Sequence, residues 1–569
     1  VAIPRSLIAN VGLSIALSCV LAGCGGGGND ESPPPPAPPP PGPVVSKAEA
    51  FRFLNQASFG ATDASAQQVM GQGYEAWIDA QLATPPSLEY TSVRAAYDVL
   101  LSMPPVMNIG QLHNNRVAAW FENSVRGQDQ LRQRVAFALS EIMVVSQVSL
   151  NNYPLGVSDY YDMLARNAFG NFRTLIQDVT LHPMMGVYLS MLGNRKPDVQ
   201  GNIRPDENYA RELMQLFTVG LVQLNLDGSV RRDAQQQPLP TYDQATIEGF
   251  AHVFTGWNWA GTRGFGGAVA TPENQVQPMQ AYSTEHDTGA KQLLAYTGAA
   301  LTTIPARVPA NPAMDLANAL DNIVGHPNVA PFIAKQLIQR LVTSNPSPQY
   351  IERVATKFNN DGNGVRGNLG AVVKAILLDA EARNATSVAS AGKLKEPLLR
   401  LTQIWRAYNA NSITGALSVP GLSGIFGQGP LQAGSVFNFF SPSYAPPGEI
   451  STQNLVAPEL QIATEFLNTQ VSNYFFSMSL CYVTTPYSAC PALPDTTVRL
   501  DTSAEMALTN DSTALVDKIA DRLLAGQISA TLRNEARAQV DRVPTTLPSL
   551  RVTEALYLIT SSPEFARQQ

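Results

Sequence analysis

Cysteine is scarce, and its scarcity excludes a good deal of chemistry. Of four in 569 residues, Cys19 and Cys24 belong to an opening apolar run, which leaves Cys481 and Cys490 in a loop rich in Tyr, Thr, Ser and Pro. No Cys-x-x-Cys-His haem attachment exists, and no further Cys or His lies near the pair to complete a metal site. In an oxidising compartment the two are expected to form a local disulfide, which removes every reactive thiol from the mature chain. Charge is low as well, at 15% of residues and a formal net of −7, so there is no basic footprint for nucleic acid or anionic lipid. Beyond the opening run, no stretch reaches the roughly 18 apolar residues that a membrane span needs. Alternating strand patterns are rare and no repeat period is visible, which argues against a sheet protein and a solenoid. Gly-x-Ser-x-Gly, His-Glu-x-x-His, P-loop and Rossmann fingerprints are all missing.

What is present begins at the N-terminus. Arg5 supplies a positive n-region, Leu7 to Leu21 an apolar h-region, and Leu21-Ala22-Gly23-Cys24 the small-residue approach to a Cys that a lipoprotein signal peptidase reads. Residues 1–23 are thus expected to be a signal peptide and Cys24 the lipidated first residue of the mature chain. Residues 24–45 form a tether, a glycine swivel followed by Pro33 to Pro36 and Pro38 to Pro41. In polyproline II geometry that arm reaches on the order of 30–60 Å. Gly25 in place of Asp favours the outer membrane. The expectation is a lipid-anchored protein of the cell envelope.

Ser46-Lys47-Ala48-Glu49 is a capping-box pattern that starts a helix carrying Phe51, Phe53 and Leu54 on its apolar face. Helical spacing follows in Leu131 to Val145, Tyr160 to Val179, Asn208 to Phe217, Ala317 to Val324, Pro331 to Val342, Leu369 to Ala382 and Pro397 to Tyr408. It returns in Ser512 to Leu524, Ala530 to Val540 and Val552 to Leu558. Leu221 to Val230, turning at Asp227-Gly228, is the one hairpin candidate. The pattern predicts a mainly α fold: one large irregular multi-helix domain over 46–569, with long loops, at most a small β-hairpin, and the Cys481–Cys490 loop inside it.

Several motifs recur in a distinctive order: Phe51 to Thr62, Leu181-His182-Pro183-Met184, Asp206 to Met214, Phe254-Thr255-Gly256-Trp257 and His286-Asp287-Thr288-Gly289. His326-Pro327, Gly392-Lys393-Leu394-Lys395-Glu396-Pro397 and Ser561 to Ala566 complete the set. In these the chain resembles the bacterial family of domain of unknown function 1800. The resemblance implies an exported protein, without an established activity, often encoded beside a second exported family of sulfatase-like type. Relatives carry His-Asn-His where this chain has Ser140-Glu141, and Arg where it has His252.

The motifs also hold the candidate chemistry. Pro205 to Gly220 reads as a helix capped by Asp206 and stopped by Gly220, with Glu207 and Arg211 one turn apart. Glu212, with Glu207, is either part of an ion-paired structural helix or a carboxylate ligand or general base, as di-metal bundles use. His182 and His326 each precede proline at a helix start. The positive helix end there favours neutral imidazole, which can bind a metal, take a proton, or simply cap. His286 and Asp287 suit a metal or an oriented imidazole, and Asp-Thr-Gly equally suits a turn. Glu248 and His252 read as a structural pair. Asn359, Asp361, Asn363 and Gly364 mimic half a calcium loop, but Gly370 stands where its bidentate carboxylate belongs. Phe437-Asn438-Phe439-Phe440-Ser441-Pro442 either lines a groove for a polymer or peptide or plugs the core.

Two function classes follow. The leading one is an envelope lipoprotein that binds or scaffolds an exported partner or envelope component. The alternative is an extracytoplasmic hydrolase or oxidoreductase holding a divalent metal, with His182, Glu207, Glu212, His286 and Asp287 as catalytic candidates and His182, Glu212, His286 and Asp287 as ligand candidates. Radiolabelled palmitate is expected to enter the wild type and not Cys24→Ser; label in the variant would remove the lipid-anchor reading.

Overall fold

The first ordered helix begins as its sequence dictates. Ser46 Oγ accepts the Glu49 N–H at 3.3 Å while the Glu49 carboxylate accepts the Ser46 N–H at 2.9 Å, and Lys47–Ala57 follows. The computed structural model describes residues 45–102, 109–261, 263–384 and 390–568. The leader, Cys24 and the tether up to residue 44 lie outside them. Within them, 24 α-helices, a few 3-10 turns and one π-helix carry the fold, and the three sheets are two-residue antiparallel pairs. None of these helices is long and apolar enough to cross a membrane.

The helix Gln130–Ser140 is the hub, because all eleven of its residues are buried, two arginines included. Phe137 meets Phe59 and Trp120, and Trp120 continues through Phe121 to Trp405, with ring centroids 4.9 to 5.9 Å apart. Such offset and edge contacts tie the turn after Lys47–Ala57 to helices Ile109–Arg126, Gln130–Ser140 and Pro397–Ala407. Gly60 permits one of these approaches: its φ is +130°, and a Cβ there would lie 2.5 Å from the Gln403 backbone. At the C-terminal end Glu465–Leu480 packs on Pro548–Thr560, flanked by Ser512–Leu524 and Ala530–Arg542. The chain then returns inward, where Arg567–Gln568 pairs antiparallel with Lys393–Leu394.

Several expected helices are shorter than their periodicity. Leu131 to Val145 ends at Ser140, and Tyr160 to Val179 divides into Pro154–Asn167 and Phe172–Leu181. The break falls at Ala168 to Asn171, where the Asn171 side chain starts a new helix by accepting the Arg173 N–H. Asn208 to Phe217 changes pitch midway, with α geometry to Glu212 and a π-helix over Leu213–Thr218. The Leu221 to Val230 turn forms, bridged at Leu224 and Val230 with Gly228 at φ +77°. The Cys481–Cys490 disulfide is present. Trp120→Ala would empty the centre of the aromatic chain and is expected to cost about 3–5 kcal/mol in denaturant unfolding; a loss under about 1 kcal/mol would show that the hub is placed elsewhere.

Candidate functional site

The residues singled out by motif settle into separate local networks. His286 is fully buried, with Nδ1 2.8 Å from the Thr255 carbonyl and Nε2 3.1 Å from Asp315 Oδ2. Both ring nitrogens face acceptors, so neither lone pair is turned towards a metal. Asp315 also holds Lys291 at 2.9 Å and Arg307 at 2.8 Å. Asp287 takes the His252 Nδ1 and, at 2.6 Å, the Gly289 N–H. Burial pushes its carboxyl up, but His252, the Gly289 amide and Lys291 outweigh this and hold it down at about 2. His252 thus pairs with Asp287 rather than Glu248, whose carboxylate accepts from Gln244.

His182 and His326 are caps. Their Nδ1 atoms accept the Met184 N–H at 3.2 Å and the Asn328 N–H at 3.1 Å. Nε2 of His182 then donates to Asp159 at 3.3 Å, and burial with the Arg366 charge pushes His326 down to about 4. Glu207 pairs with Arg211 at 2.9 Å and accepts from Gln244. Glu212 differs, because its Oε2 is buried without a hydrogen-bond partner and burial raises its carboxyl. It stands where the α turn becomes π-helix, a geometry frequent at functional sites. In the Asn360 to Asn368 loop, Asp361 accepts from the Asn363 and Val365 amides and the Asn368 side chain, which makes it a plain connection. Among the described residues no three His, Cys, Asp or Glu side chains form a group that could hold a metal.

Five distant segments instead converge on one buried ionic cluster. Lys393 Nζ lies 2.8 Å from Glu459, 3.3 Å from Glu396 and 2.9 Å from the Arg340 carbonyl. Gln428 bridges Glu396 at 2.7 Å and Glu141 at 3.3 Å. Arg134 donates to the Arg340 carbonyl, and Arg340 to the Glu141 carbonyl. Burial, with the adjacent Glu396 charge, pushes Glu141 up to about 8. Glu396 is as deeply buried, yet Lys393, Arg134, Gln428 and a hydrogen bond from Glu141 hold it below the usual range. The two carboxyls thus titrate as a pair, in which Glu141 is the member held towards the protonated form.

Glu141 and Arg340 form the floor of a cleft of about 480 Å³. Its walls are Gln215 and Leu216 of the π-helix, the Leu221 to Val230 turn, one face of Val329–Leu341, and Val436 to Ser443. The walls are mostly apolar, and they expose Leu221 by 55% and Phe437 by 58%. Such clustered apolar exposure marks a binding surface. Between these walls two buried amide atoms have no hydrogen-bond partner, Gln336 Nε2 and Gln339 Oε1, while Glu141 Oε2 faces Arg340 Nε in an ion pair at 3.7 Å. The amide orientations follow from the other ends, since Gln339 Nε2 donates to the Ser344 and Pro442 carbonyls and Gln336 Oε1 accepts from Arg340.

The family model described as "Protein of unknown function (DUF1800)" matches residues 52–567. The chain belongs to the DUF1800 family. No curated protein and no solved structure matches it.

The DUF1800 motifs thus serve different ends. Phe254 to Trp257 and His286 to Gly289 buttress each other, and Gly392 to Pro397 supplies the ionic cluster. Motif reading noticed Glu141 and the Phe437 loop separately but missed their meeting and the partners Gln336, Gln339, Arg340, Gln428 and Glu459. The one local signal was Gln336, Gln339 and Arg340 at helical spacing in a segment otherwise apolar except for Lys335. A folded state that keeps the Glu141 proton to about pH 8, against an ordinary value of 4.5, loses stability as pH rises through that interval. Glu141→Gln removes this loss, so its urea midpoint relative to wild type is expected to improve from pH 5 to about pH 8 and to level off above it; a constant difference would show that Glu141 is ionised throughout.

Proposed function

We propose that this DUF1800 protein is an envelope-anchored binding protein whose aromatic cleft holds an extended segment of an exported partner. The observation that carries the reading is the pairing, in one cleft, of exposed apolar walls with buried amide groups left unpartnered. A polypeptide supplies what those groups need: carbonyls for Gln336 Nε2, N–H groups for Gln339 Oε1, and side chains for Phe437, Phe332 and Leu221. An unpaired buried amide costs about 1–3 kcal/mol, which an incoming backbone recovers. The exported sulfatase-like proteins encoded beside family members are the first partners to test. Lipid attachment at Cys24 and the 24–45 tether would hold the cleft near the outer membrane while letting it swivel.

The proton on Glu141 supports a second reading, in which the cleft floor donates that proton to a bound group and Glu396 accepts it back. The metal-dependent alternative has less support, because His182, Glu207, His286 and Asp287 are each engaged by an internal partner. Binding of the neighbour-encoded exported protein to the detergent-solubilised chain tests the main reading. Phe437→Ala and Gln336→Ala are each expected to weaken it roughly tenfold or more, as loss of a central anchor does. Undiminished affinity in both variants would remove the cleft from the interface. Stoichiometric metal that disappears in His182→Ala would restore the metal-enzyme reading.

A further inference from the structure

Two lysines of one short segment meet opposite fates. Lys393 faces Glu396 and Glu459, whereas Lys395 is in no ion pair among the described residues. Lys395 is 3% exposed, and its Nζ donates to the neutral Gln403 side chain at 2.7 Å and lies 4.2 Å from the centroid of the Phe565 ring. It lines a second cavity of about 640 Å³, away from the cleft, bounded by helix Lys47–Ala57, the Leu523 to Ser529 turn and the C-terminal Pro563 to Arg567.

The charged groups around it are mostly cationic. Arg400 is close enough to disfavour a second positive charge. Arg52 and Arg567 line the cavity; each gives one Nη2 to a backbone carbonyl, of Arg383 and Ala391 respectively, and Arg52 Nε has no partner. The one carboxylate, Glu564, is engaged by the Ser529 N–H at 2.9 Å and hydroxyl at 2.5 Å. Burial first, and Arg400 second, push the Lys395 ammonium down to about 7. A large share of this side chain is then free amine at neutral pH, with its lone pair available.

We propose that Lys395 is an imine-forming amine and that its cavity captures a small oxo acid. The Nζ lone pair attacks the carbonyl carbon and forms a C–N bond while the C=O electron pair moves to oxygen. The two amine hydrogens pass to that oxygen, which departs as water as the C=N bond forms, and hydrolysis reverses the sequence. No oxidant or reductant is needed. Arg52 and Arg567 pair with the acid's carboxylate, and the Phe565 face packs against its carbon skeleton. This site stands apart from the proposed partner cleft, and neither depends on the other.

Reductive trapping tests it. The full chain, incubated with glyoxylate and cyanoborohydride at pH 7, is expected to gain one carboxymethyl group on Lys395. Labelling should outpace the exposed Lys196 and Lys357 by roughly tenfold or more, the gain expected where a cavity with two arginines holds the oxo acid against the amine. Lys395→Met, which keeps the chain length and removes the amine, is expected to abolish the adduct. Should that variant fail to fold, Arg567→Gln gives an independent readout: it is expected to narrow the preference for glyoxylate over acetaldehyde about fivefold, the worth of one solvent-facing ion contact. Label on Lys196 and Lys357 with Lys395 untouched, or an unchanged preference in Arg567→Gln, would overturn the proposal.

Discussion

The rest of the structure depends on how the buried charges around Lys393 are neutralised. Removing an ion from water costs several kcal/mol even after relaxation, so such a cluster persists only when every partner arrives together. Here the partners come from residues 134 to 141, 340, 393 to 396, 428 and 459, and they interlock through carbonyls as well as ion pairs. The chain end adds a clamp, because Gln568 Nε2 donates to the Leu341 carbonyl at 2.7 Å beside the strand pairing at Lys393. Substituting one member leaves another charge buried and alone, which costs more than the pair contributes. The network therefore specifies an arrangement more than it stabilises one. What it arranges is the cleft floor.

That floor and the apolar walls have separate physical origins. The walls come from a turn, a six-residue π-helix and an aromatic loop, each too short to be placed by its own backbone hydrogen bonds alone. Rigid support reaches them from the start of Val329–Leu341, where the Asn328 side chain accepts the Leu224 N–H and donates to the Val219 and Val222 carbonyls. The lysine cavity uses the other side of the same device. With carboxylates concentrated around Lys393, none pairs with Lys395, and two residues of separation divide an ion-paired lysine from one that meets only an amide and an aromatic ring.

Local structure was legible wherever it depends on local rules. The capping box at Ser46 and Glu49, the Asp227-Gly228 turn and the histidines before Pro183 and Pro327 all do in the fold what neighbouring backbone groups require. Helix lengths were less legible, because periodicity registers the apolar face and not the point where a cap such as Asn171 restarts the chain. The pitch change after Glu212 left no trace in spacing. Site residues were legible as kinds and illegible as pairs: Asp287 could be seen beside His286 but not opposite His252, and Glu141 gave no hint of Glu396. Those pairings join segments separated by 35 residues in the first case and by hundreds in the second, and a single sequence carries no record of which buried charge meets which.

The buried hub helix has a consequence for biogenesis. Gln130–Ser140 is covered on all sides, yet Arg134 reaches a partner 206 positions downstream, and Glu141 waits for one 287 positions away. During vectorial synthesis the first third of the chain is thus finished long before its covering exists. Until the segments around 340, 405 and 428 emerge, Arg134, Glu141 and the Trp405-facing side of Phe121 stand uncovered, so the growing chain passes through an aggregation-prone stage.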